Sequence, residues 1–235
     1  MYGQGSQAAI AQTRAEASSI FLAKVFNWMA VGLGLTGIVA YITAYSGLAA
    51  TLVRGPLFFL LIIGELGLVF YLSARIEKLK ASTATALFVG YSALNGVTLS
   101  MIFLMYTSSS IAGTFFITAG MFGAMAIYGL VTKRDLTGMG SFMMMGVFGI
   151  IIASIVNIFL QSSSLYWAIS MIGVIVFVGL TAYDVQKIKK MGEGGILEAG
   201  ESAVRKGAIM GALALYLDFI NLFLMLLRFF GVARE

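Results

Sequence analysis

Residues 215–228 read LYLDFINLFLMLLR, and this stretch decides the fold class. It sits inside a 21-residue run, Gly207 to Leu227, whose only charged member is Asp218. At ~1.5 Å rise per residue such a run crosses the hydrocarbon core of a bilayer, with a carboxylate near its middle. An ionisable group at that depth costs several kcal/mol and is kept for a partner or a pathway. The rest of the chain must therefore supply either a partner for Asp218 or a reason to keep it.

Outward from this run the composition is of one kind. Of 235 residues, 60% are hydrophobic and only 11% charged, and the mean hydropathy is +0.98. Soluble domains carry roughly 25% charged residues, so this is an integral membrane protein. A single proline argues against proline-rich linkers, and no segment after the first 24 residues is polar enough for a separate soluble domain. Cysteine and histidine are both absent, which removes disulfides, thiolate and imidazole metal sites, and catalysis or pH sensing by those side chains. The net charge of +5 does not call for nucleic acid, because the basic residues sit at the ends of apolar runs, where they set topology and meet anionic headgroups.

Residues 1–24 are small and polar, with Arg14, Glu16 and Lys24, and read as a short tail with no signal-peptide pattern. The membrane domain is expected over residues 25–231, with a short tail at 232–235. Its first span is Val25 to Tyr45, where Gly32, Gly34 and Gly37 permit close helix approach. A turn at Arg54, Gly55 and Pro56 leads to a second span, Pro56 to Ala74. The 52 uncharged residues from Ala81 to Thr132 are too long for one crossing, and Thr107-Ser108-Ser109-Ser110 divides them in two. Gln161-Ser162-Ser163-Ser164 likewise divides the 48-residue uncharged run from Leu136 to Tyr183. A polar connection, residues 185–207, leads to the seventh span.

Twelve of the fifteen Lys and Arg residues fall in segments on the N-terminal side of these seven spans. The positive-inside rule then puts the N-terminus in the cytoplasm and the C-terminus outside. Aromatic residues agree, with Trp28, Tyr71, Tyr128 and Tyr183 near inner ends and Tyr45, Tyr106, Tyr166 and Trp167 near outer ends. The basic C-terminal pair, Arg228 and Arg234, is the one feature that fits a re-entrant seventh span better.

Three carboxylates lie in or at the edge of spans: Glu65, Asp184 and Asp218. If the sixth helix runs on to Gly192, Asp184 lies one to two turns inside its end. Asp218 and Asn221 share a face at i, i+3, with Gly211 and Ala214 before them, while Phe219, Leu222, Phe223 and Leu226 add apolar bulk. That pattern suits a helix enclosed by other helices. Glu65, between Gly64 and Gly67, is read as open to a neighbouring backbone or paired with Arg75 or a lysine. Asn95 and Asn157 are read as hydrogen-bond glue between helices.

Two aspartates on consecutive helices admit two mechanisms. Within hydrogen-bond range they share one proton and form a latch that opens when the proton leaves or a cation enters, a pH-sensitive ion gate. The other mechanism, aspartyl peptide hydrolysis, lacks its motifs: Leu215 and Leu217 stand where glycines are needed, and the only proline is Pro56. A proton-coupled carrier of a small solute is a third possibility. Depth is the constraint on all of them. Asp218 lies ~18 Å along the helix beyond Lys206 and Asp184 only ~5 Å before Lys187, so for the two acids to meet the lysines must snorkel and the seventh span begin inside the headgroup level, or the helices must be offset.

VGLTAYDVQKIKK (178–190), LYLDFINLFLMLLRFFG (215–231) and VTKRDL (131–136) together resemble the bacterial branch of the Bax inhibitor family, over essentially the whole chain from Phe21. The resemblance implies an all-α bundle whose seventh helix is central and wrapped by the other six, in a bacterial inner membrane. It implies a pH-sensitive calcium leak, with no enzymatic activity and no resident cofactor. Asp184 and Asp218 match the gating pair, with transient calcium at the pair, and Arg75 is the nearest match to an arginine that engages it. Glu65, an acid in span two, fits the family's pattern as well, and with Asn221 is placed along the ion path. The partners implied are lipid, calcium or other cations. One branch of the family suggests an alternative, a non-enzymatic regulator that binds another membrane protein, such as a membrane protease, through residues 1–20 or the 185–207 connection.

Overall fold

The computed structural model describes residues 3–53 and 55–234, and side chains from residue 12 onward apart from Val53. Arg54, expected in a turn, lies outside the described residues. Among those described, regular structure is helical: α1 (Gly3–Tyr45), α2 (Leu48–Val53), α3 (Leu57–Arg75), α4 (Ala81–Leu99), α5 (Ile102–Met105), α6 (Ser108–Val131), α7 (Thr137–Leu160), α8 (Ser163–Glu193) and α9 (Glu201–Phe230). Seven segments are long and apolar enough to cross a membrane, α4 and α5 together forming one of them. The protein is an all-α membrane protein.

The polar breaks end the spans as read. Thr107 adopts an extended conformation before α6, and its hydroxyl accepts from the Ser110 N–H at 3.4 Å. Gln161 closes α7 in the left-handed conformation at φ 49°, and the Asn157 carboxamide oxygen accepts from Ser162 N at 3.0 Å. Asn157 thus makes a local turn bond where glue between helices was expected. The 185–207 connection is shorter than it looked, because α8 continues to Glu193 and α9 starts at Glu201. A short 3-10 turn, Ile196–Ala199, joins them between Gly195 and Gly200, both at positive φ (85° and 89°).

The N-terminal segment read as a tail is helical from Gly3 and continuous with the first span. Its end is packed: Ser18, Phe21 and Leu22 are buried, and the Ser18 hydroxyl donates to the Lys189 carbonyl at 3.1 Å. Ala, Gln, Arg and Glu are good helix formers, so a polar sequence here is no sign of coil.

The chain divides into two compact units. The first holds residues through Met105 together with Ile188–Ala214. In it α1 and α4 approach closely, since a Cβ on Gly96 would stand 2.7 Å from the Thr36 carbonyl oxygen and one on Gly32 would meet the Phe88 ring at 2.7 Å. The Thr36 hydroxyl donates to Ser92 O at 2.7 Å across the same seam. Of the three glycines expected to permit contact, only Gly32 does; Gly34 and Gly37 face open space. Gly211 of α9 lies against Val25 and Ile188.

The second unit holds Tyr106–Lys187 and Leu215–Glu235. Its core joins Ile150, Ile169, Val176, Phe177 and Leu180 to Leu222, Met225 and Leu226. Phe219 stacks near Phe115 and Phe122 of α6, with ring centroids at 5.3 and 5.6 Å. Arg228 donates to the Ser170 hydroxyl at 3.2 Å and lies 4.6 Å over the Tyr166 ring. α9 is one unbroken helix of 30 residues, ~45 Å long, which leaves its basic end with partners of its own. It is also the most enclosed span: 67% of its most apolar window is buried, against 50% for α8 and at most 33% for the others.

Candidate functional site

Asp218 is 4% exposed on α9, and Asp184 is half-buried on α8. Their carboxyl groups are hydrogen-bonded to each other. Two ionised carboxylates only accept, so this bond requires a proton on one of them. Among the described residues, the one buried side-chain oxygen or nitrogen without a hydrogen-bond partner is Asp218 Oδ2. A buried acceptor in that condition is costly and is filled by a water, a proton or a cation when one can reach it.

The helix lengths accommodate the depth mismatch. From Asp184, α8 runs nine more residues, ~14 Å, whereas α9 runs seventeen from Glu201 to Asp218, ~26 Å. The acids meet because the two helices extend unequally from their joining turn. Lys187 is exposed and lies one turn beyond Asp184 on α8.

α8 is seated around Asp184 by close backbone contact. A Cβ on Gly129 of α6 would collide with the Ala182 carbonyl, and one on Gly140 of α7 with the Tyr183 ring. Gln186, buried at 6% exposure, uses both ends of its amide. Its Oε1 accepts from Leu136 N at 2.9 Å and its Nε2 donates to Arg134 O at 2.8 Å, fastening α8 to the loop between α6 and α7.

Asn221, Arg75 and Glu65 were the other residues expected at the site. Asn221, on the Asp218 face, is half-buried and donates to its own helix at Leu217 O, 2.8 Å. Arg75 is exposed in the last turn of α3 and belongs to the other unit. Glu65, also of that unit, is buried and accepts from Asn95 Nδ2 at 3.2 Å and from the Thr98 hydroxyl. It is therefore bound by α4 side chains, where Arg75 or a lysine was expected, and Asn95 is the interhelical glue it was read to be. Gly64 and Gly67 face open space, so no backbone approaches Glu65 through them. No group of three or more Asp and Glu residues able to hold a metal ion occurs among the described residues.

Thr98 and Gln186 are the residues that sequence reasoning passed over. Thr98 stands three residues after Asn95 on one helical face, a spacing that marks a polar stripe toward a buried acid. Gln186 is an uncharged amide two residues past Asp184, legible only once α8 is known to run through it.

The whole arrangement has relatives. The sequence pattern described as "Inhibitor of apoptosis-promoting Bax1" matches residues 18–235. "Inner membrane protein YbhL" of Escherichia coli (strain K12) is 56% identical over 216 residues, covering 91% of this chain and 92% of that protein. A protein of Borreliella burgdorferi is 49% identical over 217 residues, covering 92% and 93% of the two chains, and one of Deinococcus radiodurans 48% over 218, covering 92% and 91%. With seven spanning helices and a match that runs from Ser18 to the last residue, the chain belongs to the Bax inhibitor family.

Proposed function

We propose that the chain is a pH-sensitive, calcium-permeable leak of a bacterial inner membrane, gated by Asp184 and Asp218. The observation that carries this reading is the hydrogen bond between the two carboxyls, beside a buried Asp218 oxygen that has no partner. With its single proton the pair carries one charge less and holds α8 to α9. When the proton leaves, two like charges in a low-dielectric site repel, and a cation is the natural replacement. Calcium is cargo here, passing a site with too few ligands to retain it. No covalent chemistry is assigned, and the chain is read as non-enzymatic.

The basic residues, twelve of fifteen on one side, support a cytoplasmic N-terminus and an external C-terminus. The name of the Escherichia coli relative supports the inner membrane. In liposomes loaded with a calcium dye, influx should rise as the pH is raised and lose that dependence in Asp184→Asn and Asp218→Asn. Unchanged flux and pH dependence in both variants would sink the gate.

One observation favours a second reading, a regulator that binds another membrane protein. α1 extends well before its apolar part, and its residues Thr13, Arg14, Glu16 and Ser19 are exposed. A stoichiometric partner lost on deleting residues 1–20, with no flux in liposomes, is the outcome that selects this reading.

A further inference from the structure

We propose that Gln186 is a positioning residue that keys α8 to the 132–136 loop, so that loop and helix shift together when the Asp184–Asp218 pair parts. The proposal rests on the gate reading above and names the element that moves.

The amide's two bonds reach backbone groups 50 and 52 residues away, on the corner that links α6 to α7. Leu136, whose N–H it holds, is buried, and Gly140 N continues the corner by donating to Leu136 O at 2.8 Å. Only a side chain with a donor and an acceptor on one planar head can make both bonds, which at this length means Gln or a protonated Glu. Ala182 lies one turn before Gln186 on the same face and is seated on Gly129, and Tyr183 beside it is seated on Gly140.

Asp184 is two residues from Gln186, about 200° around the helix, and it faces Asp218. One side of α8 therefore carries the gate and the opposite side carries the key. Turning α8 about its own axis to withdraw Asp184 would break both hydrogen bonds, one of them buried, and disturb the close seating of Ala182 and Tyr183 on α6 and α7. Displacement of α8 together with the corner breaks neither. The charged groups around this assembly are Lys187 on α8, Asp218 on α9, and Lys133, Arg134 and Asp135 on the loop, all of them exposed except Asp218. Asp135 is engaged locally, accepting from the Thr137 hydroxyl at 2.8 Å.

The test compares Gln186→Met, Gln186→Ala and Gln186→Glu with the wild type and Asp218→Asn. It uses full-length protein in dye-loaded liposomes from pH 6 to 8, with hydrogen exchange of the Leu136 amide read in parallel. Methionine keeps the length and bulk of glutamine but not its bonds. If the bonds position α8, both Met and Ala move the midpoint of the flux–pH curve about one unit to lower pH and speed Leu136 exchange roughly tenfold or more. Glu, ionised across this range, still accepts from Leu136 N but cannot donate to Arg134 O, and shifts the midpoint in the same direction as Met. In the wild type the Leu136 amide stays protected across the range, because the loop travels with the helix.

The Met variant also guards against a general packing defect, since it keeps the bulk of glutamine. A wild-type curve restored by Met would reduce Gln186 to packing and overturn the proposal. If the wild type shows a pH-dependent flux that Asp218→Asn abolishes, while every Gln186 variant keeps the wild-type curve, the proposal falls and the gate stands. A flat wild-type curve removes the gate and the proposal with it.

Discussion

Replacing Asp218 by asparagine keeps the shape of the side chain and gives it a permanent donor. The Asn amide can donate to the Asp184 carboxylate at every pH, while its oxygen takes the place of the unpartnered Oδ2. A hydrogen bond to a charged acceptor is worth about 1.5–3 kcal/mol, and every 1.4 kcal/mol is roughly a factor of ten in a population. Wherever the wild-type pair has lost its proton, the latched state of the variant should therefore be favoured by roughly ten- to a hundredfold. Initial calcium influx into liposomes should fall by about that factor at pH 8 and change little at pH 6. Asp218→Ala has no donor at any pH and should leak at pH 6 as fast as at pH 8. The reasoning is refuted if Asp218→Asn keeps the wild-type rise with pH, or if the alanine variant is as tight at pH 6 as the wild type.

Three further outcomes follow from contacts in the two units. Thr98→Val strips a hydroxyl from buried Glu65 and should destabilise the protein in detergent by about 1–3 kcal/mol. Glu65→Gln still offers an oxygen to Asn95 and should lose less than about 1 kcal/mol, so equal losses in the two variants would contradict the assignment of partners. Gly96→Ala must push α4 off the Thr36 carbonyl, 2.7 Å from the new Cβ, at about 1–3 kcal/mol, whereas Gly34→Ala meets nothing and should be neutral or slightly stabilising in a thermal melt. Arg228→Lys keeps the charge but not the flat face over Tyr166, and should lower stability by about 1 kcal/mol, with no loss expected if the cation alone mattered.

Much of this molecule could be read from residue types. Span number follows from charge-free runs of known length, and the Thr-Ser and Gln-Ser breaks fall where α6 and α7 begin and end, because short hydroxyl and amide side chains satisfy the helix ends they interrupt. The Asp184–Asp218 pair was legible too, since an acid in mid-span with no base within a turn has few other partners. What stayed hidden depends on helix rotation. In a soluble helix the polar face shows which side is out, but a span apolar on every side carries no such mark. Glu65 could thus be assigned to Arg75 when its neighbours are Asn95 and Thr98, and Asn221 could be aimed at an ion path when its amide folds back on Leu217. The helical start of α1 lies within residues read only as a short polar tail, although Ala, Gln, Arg and Glu among them favour helix.

The burial of α9 bears on how the protein is made. The most enclosed helix follows the other six spans in the chain, and the amide of Thr107, at the start of α6, is satisfied by the carbonyl of Val232, just beyond α9. Six spans must therefore wait in the bilayer with the core of each unit incomplete and Asp184 without its partner. The core of each unit therefore closes only when α9 joins the spans made before it. A protein fused directly to the C-terminus would tug on residues that hold the head of α6, so a reporter is better carried elsewhere.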